Sequence, residues 1–224
     1  MARRRRDTEA GLFHVWAHSV WSAALYRDDL DRSRFVSELA RTTQRVGWRC
    51  VGVCLLTSHN HLILEVGEGV LPVGMQELNF RYAAGFNARH GLRGHVFARR
   101  YGCRRLEIDP DLPERELQVA YRYVMRNPVE AGLCRSPELW PWSSYAATIG
   151  LVESFTFVDA SPLLDCFGGS REAQIAELRA YVEEPSHIHA GAWPGPGPRF
   201  PVQLGLPPDP KAVEDRDHGA SRGG

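Results

Sequence analysis

Lysine is almost missing from this 224-residue sequence: of 27 basic residues, only Lys211 is not arginine. Cysteine is scarce and odd in number, with five residues at 50, 54, 103, 134 and 166. Only Cys50 and Cys54 are closely spaced, and no second pair completes a zinc knuckle. Reduced thiols, some of them in a core, are expected. No apolar run approaches the roughly 18–20 residues of a membrane span, so no membrane partner is expected. The N-terminal "MARRRRDTEAG" has the charge of a signal peptide without the apolar stretch that must follow one. A cytoplasmic protein is therefore expected. Net charge is also absent, but the balance hides a division. Residues 1–150 carry 21 basic against 16 acidic side chains, and residues 151–224 carry 6 against 11. Arginine makes forked, planar contacts with phosphate and stacks on bases. A GC-rich genome also enriches arginine, so composition alone does not identify a partner.

What is present is a periodic first part and an irregular last part. "FHVWAHSVW" (13–21) alternates and reads as a strand. "RDDLDRSRFVSELARTTQRVG" reads as a helix, with Asp28 or Asp29 as cap, Leu30, Phe35, Val36, Leu39 and Ala40 near one face, and Gly47 as its end. "WRCVGVCLL" and "HNHLILEV" are the next two strands. "PVGMQELNFRYAAGFNARHG" is a helix with Met75, Leu78, Tyr82 and Phe86 in a stripe. "HVFARRYGCRRLEI" leads from a loop into a fourth strand. "DPDLPERELQVAYRYVMRNP" is a helix, capped by Asp109 or Asp111 and ending before Pro128. This order predicts an α+β chain: a ferredoxin-like antiparallel sheet with helices on one face. Residues 1–12 form a basic arm, 13–150 the main domain and 151–186 a helical extension. Residues 187–224 are too rich in Pro and Gly to pack and read as extended or disordered.

The chemistry-bearing stretch is "LLTSHNHLILEV" (55–66). Strand side chains alternate, so His59 and His61 share one side, while Asn60, Leu62, Leu64 and Val66 take the other. Two imidazoles at this spacing suit one divalent cation; the plain alternative is a hydrogen-bonded pair at a strand end. A second pair, His187 and His189, lies in the Pro/Gly-rich region, where no strand holds it. On the third helix, Leu117, Ala120, Tyr121 and Val124 form the core stripe. Tyr123 lies off that stripe, and Asn127, four residues on, shares its face. Their plain alternatives are a surface tyrosine and a helix-ending asparagine.

Several motifs in order carry a family resemblance. "FHVWAHSVW", "YRDDLDRSRF", "GWRCVGVCLLTSHNHLILEV", "GMQELNFRYAAGFNARHG", "GHVFARRY", "YRYVMRNPVEAGL" and "WPWSSY" together resemble the REP-associated tyrosine transposases, a group of single-tyrosine HUH transposases. The resemblance runs from about Phe13 to about Tyr145 and implies the same ferredoxin-like sheet. It implies a metal site at His59, His61 and Asn127 and a catalytic nucleophile at Tyr123, with Tyr121 as the rival. It also implies Mg²⁺ or Mn²⁺ as cofactor, and single-stranded DNA with hairpins (REP-like palindromes) as partner, handled by a monomer or homodimer. The implied activity is metal-dependent nicking and joining of single-stranded DNA through a 5′-phosphotyrosine intermediate. The sequence departs from the family where Leu56-Thr57-Ser58 replaces Met-x-Asn, where Asn60 replaces an apolar residue, and where "HSV" follows the first strand.

The DNA surface is expected at residues 81–105. They hold Arg81, Arg89, Arg93, Arg99, Arg100, Arg104 and Arg105 and no acid. Tyr82, Phe86, Phe97 and Tyr101 are interleaved, and Tyr101 is expected on the DNA side. Cations for the backbone and rings for unstacked bases suit single strands. Two other readings stand beside this one. The chain is a domesticated hairpin-binding module with little catalysis, or a metal hydrolase acting on a small phosphate ester.

Overall fold

The computed structural model describes residues 9–20, 23–107 and 116–184. Four strands, β1 (Gly11–His18), β2 (Arg49–Leu55), β3 (His59–Val66) and β4 (Gly102–Leu106), form one sheet in the order β2-β3-β1-β4. Every pairing is antiparallel. With helix α1 (Asp29–Val46) between β1 and β2 and helix α2 (Val70–His90) between β3 and β4, this is the expected α+β ferredoxin-like sheet.

Helix α1 begins where Asp28 accepts a hydrogen bond from Asp31 N at 3.1 Å, and ends at Gly47 in the left-handed conformation, φ 71°. Its buried face differs from the expected stripe in one place. Leu30 is 51% exposed, and Asp31 is buried instead, held by partners from α2. Helix α2 buries Met75, Leu78, Tyr82 and Phe86, as their spacing predicts.

The sheet is covered on both faces, not on one. Phe13, Val15, Leu62 and Leu64 pack with α1 and α2. Leu12, Ile63 and Leu106 pack instead with helix α3 (Glu116–Glu130) and helix α6 (Arg171–Glu183). The physical reason lies in β2, which is apolar on both sides and needs two covers, and in β3, whose Leu62 and Leu64 face one layer and Ile63 the other. Short elements fill the second layer: a 3₁₀ turn (Pro137–Leu139), α4 (Tyr145–Thr148) and α5 (Ser161–Leu164). The segment carrying "WPWSSY" runs beside edge strand β2, with Leu55 N donating to Trp142 O and Ser144 N to Val53 O, both at 2.9 Å.

Helix α3 does not stop before Pro128; it carries that proline in its last turn. There only one backbone hydrogen bond is lost. The turn closes through Ala131 N to Asn127 O at 2.9 Å and ends at Gly132, φ 71°. The aspartates expected to cap α3, Asp109 and Asp111, lie outside the described residues. So do residues 1–8 of the basic arm and all of the tail with His187 and His189; Gly11 and Leu12, read as part of the arm, belong to β1.

One glycine tests the packing of the α1–α2 layer. A Cβ on Gly74 of α2 would stand 2.2 Å from Trp48 Cζ2, and Trp48 is itself 5% exposed. Alanine is the better helix former by about 1 kcal/mol. The clash nevertheless dominates, because a buried indole has nowhere to retreat. Gly74→Ala is expected to lower stability by about 1–3 kcal/mol, read as a shift of the urea midpoint.

Candidate active site

The candidate site forms on the α3 face of β1 and β3. Register places His18 opposite His59 and Trp16 opposite His61. Because alternate residues share a face, His14, Trp16 and His18 of β1 lie beside His59 and His61 of β3. The rings confirm the placement. His18 stacks on His59 with centroids 4.9 Å apart, His59 meets His61 edge-on at 5.0 Å, and His14 stacks on His61 at 5.1 Å. Gly102 of β4, opposite Trp16, leaves the room the indole fills: a Cβ there would stand 2.3 Å from Trp16 Cε2. Asn60 turns to the other face, where its Nδ2 donates to Tyr26 Oη at 2.9 Å.

Helix α3 brings Tyr123 over this face. Its ring lies edge-on to His61 at 5.7 Å and to His14 at 5.8 Å. Tyr121, two residues earlier, is fully buried in the layer beneath α3, and its hydroxyl donates to Thr148 Oγ1 at 2.9 Å. Burial pushes that phenol above its ordinary range. Of the two tyrosines, therefore, only Tyr123 adjoins the histidines. Asn127 sits one turn beyond Tyr123, where its Nδ2 donates to Tyr123 O at 2.7 Å. That bond occupies the amide nitrogen and leaves Oδ1 as the group's acceptor.

The other half of α3 anchors it. Arg122 and Arg126 donate to the carbonyl of Glu184, and Arg126 also to that of Val182, at the end of α6. Arg104 of β4 pairs with Glu116 of the first α3 turn at 2.5 Å. Positions 122 and 126 thus hold α6, while 123 carries the phenol beside the histidines and 127 lies one turn beyond it.

The histidines are neutral at neutral pH. Burial, with a smaller effect from the Arg104 charge, pushes His14 down to about 3. Burial and the nearby His18 push His59 down to about 4. Burial and its three histidine neighbours hold His61 well below the usual range. In the unfolded chain each returns to about 6.5. Below that pH the unfolded state takes up protons that the folded state refuses, so stability falls as pH falls from about 6.5 toward 4. The metal-free protein is expected to lose roughly 1.4 kcal/mol per pH unit for each of the three histidines, about 4 together in the lower part of that window, read as a falling thermal midpoint in chelator.

The donor atoms suit a divalent ion that takes most of its ligands as oxygen. His61 Nε2 is buried and has no hydrogen-bond partner among the described residues. Its Nδ1 lies 2.9 Å from His14 Nε2, and His59 Nδ1 lies 3.2 Å from Ser58 Oγ. Each imidazole therefore has Nδ1 engaged and Nε2 left over. Among the described residues, no group of three His, Cys, Asp or Glu side chains is arranged to hold a metal. An ion at His59 and His61 would draw its remaining ligands from an amide, water or phosphate. Imidazole plus oxygen fits Mn²⁺ and, less readily, Mg²⁺.

The arginines expected on the DNA side fall into two groups. Arg81 pairs with Glu77, Arg104 with Glu116 and Arg105 with Glu9. Arg89 is the most committed, bonded at 2.5 Å to Asp28 and to the buried Asp31. Arg93, Arg99 and Arg100 are exposed and form no ion pair among the described residues. The loop holding Arg99 and Arg100 is tied to the site strand, since Ala98 N donates to His18 O at 2.9 Å. Tyr101 is partly buried and packs against the α1–α2 core rather than standing free.

Sequence reasoning missed His14 and His18. Their signal was the alternation His14-x-Trp16-x-His18 within β1, which put both on one face. What it did not supply was the register of that strand against β3.

The fold and site define an α+β chain with a ferredoxin-like antiparallel sheet, a β-strand histidine pair and a helix-borne tyrosine beside it. A solved structure of the same fold is a REP-associated tyrosine transposase bound to a REP hairpin, with TM-score 0.55 and 16% identity. The match covers 72% of this chain and 94% of that one. No protein-family model matches the sequence, and no curated protein sequence does. No helix among the described residues is long and apolar enough to cross a membrane.

Proposed function

We propose that this chain is a transposase-like enzyme that nicks and rejoins single-stranded DNA beside hairpins, with Tyr123 as nucleophile. The observation that carries the reading is the meeting of Tyr123 with the histidine pair: a phenol on α3, edge-on to His61 at 5.7 Å, above a β-strand HxH. The shared fold with a hairpin-bound tyrosine transposase supports it further.

In the proposed step, Tyr123 Oη attacks the scissile phosphorus. An Oη–P bond forms, the P–O3′ bond breaks, and the phenol loses its proton as the departing 3′-oxygen gains one. The product is a 5′-phosphotyrosine linkage and a free 3′-hydroxyl. Because the phosphodiester's energy is kept in the new ester, a 3′-hydroxyl reverses the step without any nucleotide cofactor. A Mg²⁺ or Mn²⁺ ion held by His59 Nε2, His61 Nε2 and Asn127 Oδ1 would neutralise charge on the phosphate and stabilise the transition state. The chain's own part is orientation. Arg122 and Arg126 fix α3 to α6, the Tyr123 ring meets both His14 and His61 edge-on, and buried surroundings keep the imidazoles unprotonated and able to donate lone pairs. The loop bearing Arg93, Arg99 and Arg100 leads to the site strand and supplies cations that form no ion pair among the described residues.

The test is a denaturing gel for a covalent protein–DNA adduct. Hairpin oligonucleotides with single-stranded flanks, taken from beside the gene, are incubated with the full chain and Mn²⁺. The proposal expects a slow-migrating species whose tryptic peptide carries DNA at Tyr123. Tight binding with no adduct on any such oligonucleotide would instead leave a hairpin-binding module, the second reading, which the three exposed arginines equally favour. The small-phosphate hydrolase reading leaves those arginines without a role.

A further inference from the structure

We propose that His14 is a positioning residue that fixes the tautomer of His61: His61 Nδ1–H donates to His14 Nε2, which leaves the His61 Nε2 lone pair for a divalent cation. This rests on the reading of His59 and His61 as a metal-binding pair.

The two nitrogens stand 2.9 Å apart, and both residues are fully buried. One of them must carry the shared hydrogen. If His14 donated, neutral His61 would be protonated at Nε2. That nitrogen is buried, and with a hydrogen on it His61 would have no lone pair there for a cation. If His61 donates, Nε2 presents a lone pair, and a cation satisfies it. Ligating histidines generally donate their second nitrogen to an acceptor, which sets both ring orientation and basicity.

A parallel contact supports the assignment. Ser58 Oγ stands 3.2 Å from His59 Nδ1, and a hydroxyl oxygen can accept from it. Both histidines then share one tautomer, and both Nε2 atoms are the ones left over. His14 is not taken as a third ligand: its Nε2 is engaged by His61, and among the described residues no group of three such side chains is arranged to hold a metal. Its place is held from behind by strand pairing, with Arg104 of β4 opposite it, and from above by the Tyr123 ring at 5.8 Å. One side chain therefore touches both the proposed ligand and the proposed nucleophile.

Two measurements test this, neither of them an activity. First, long-range ¹H–¹⁵N spectra of histidine-labelled, metal-free wild-type protein report each tautomer. His61 is expected as the Nδ1–H form, and an Nε2–H form would overturn the proposal. Second, calorimetric titration with Mn²⁺ compares wild type with His14→Leu, His14→Gln and His61→Ala. His14→Leu is expected to weaken Mn²⁺ binding by about 10–100-fold. His14→Gln, which keeps an acceptor oxygen in the same region, is expected to recover most of that loss. Undiminished affinity in a folded His14→Leu protein, with His61→Ala abolishing binding, would overturn the role of His14 and leave the metal pair standing. If wild type and His61→Ala behave alike, the metal reading fails and this inference falls with it. The tautomer measurement uses wild type alone, so it decides the matter even where His14→Leu does not fold.

Discussion

Tyr123→Phe is expected to lose the covalent DNA adduct entirely, by at least about 10⁴-fold, while hairpin affinity stays within about twofold. The size of the first effect follows from chemistry: a phenyl ring has no oxygen to form the phosphoester, and removing a nucleophile typically costs several orders of magnitude. The second follows from packing. Phenylalanine keeps the ring that meets His61 and His14 edge-on at 5.7 and 5.8 Å, so the site's shape survives. Tyr121→Phe is the matching control. It removes the hydroxyl that donates to Thr148 Oγ1, but Thr148 still donates to Ser144 O at 2.9 Å. A loss of about 1 kcal/mol in stability is expected, with the adduct retained. Gel mobility, peptide mapping and a thermal melt separate these outcomes. An adduct that persists in Tyr123→Phe would end the assignment of this residue, whatever the fold.

The contrast between Tyr121 and Tyr123 is legible in the amino-acid sequence itself. A helix turns 100° per residue, so a tyrosine within the Leu117–Ala120–Val124 stripe must enter the core and one two places later must leave it. The sharing of one face by His59 and His61 is legible for the same kind of reason, from the two-residue period of a strand. What the sequence does not disclose is the face of the sheet that α3 chooses. Strand β2 is apolar on both sides, so alternation marks no solvent side there. His14 and His18 stay hidden because a histidine in a strand means little until its cross-strand neighbour is known. The pairs His18–His59 and Trp16–His61 join residues more than 40 positions apart, and only register brings them together. The proline at 128 misleads in the ordinary way: it disfavours a helix that must continue, and α3 has only two more residues to run.

The arginines show the same limit, and they carry the second large effect. Residue counting weighs Arg89 and Arg99 alike, yet their partners differ. Arg89 is bound to Asp28 and Asp31, which lie 61 and 58 residues away on α1 and its cap, and Asp31 is also bonded by His90 Nε2 at 3.0 Å. Removing Arg89 strips a buried carboxylate of its strongest partner. Arg89→Ala is expected to lower the melting temperature, because the buried Asp31 carboxylate loses a charged partner. Its effect on DNA affinity at temperatures where the protein stays folded is expected to be small, since that charge is already neutralised. Arg93, Arg99 and Arg100 have no such partners among the described residues, and they lie on the loop that Ala98 ties to His18. If all three meet phosphates of a single strand, replacing them with alanine lowers the slope of log affinity against log salt by about 2. That change amounts to an affinity loss on the order of 100-fold at 0.1 M salt, with stability nearly unchanged. Anisotropy titrations at several salt concentrations read both quantities. A triple variant with an unaltered slope would move the DNA path away from this loop, and an Arg89→Ala protein that kept its full melting temperature while losing the slope would reverse the division of labour drawn from the ion pairs.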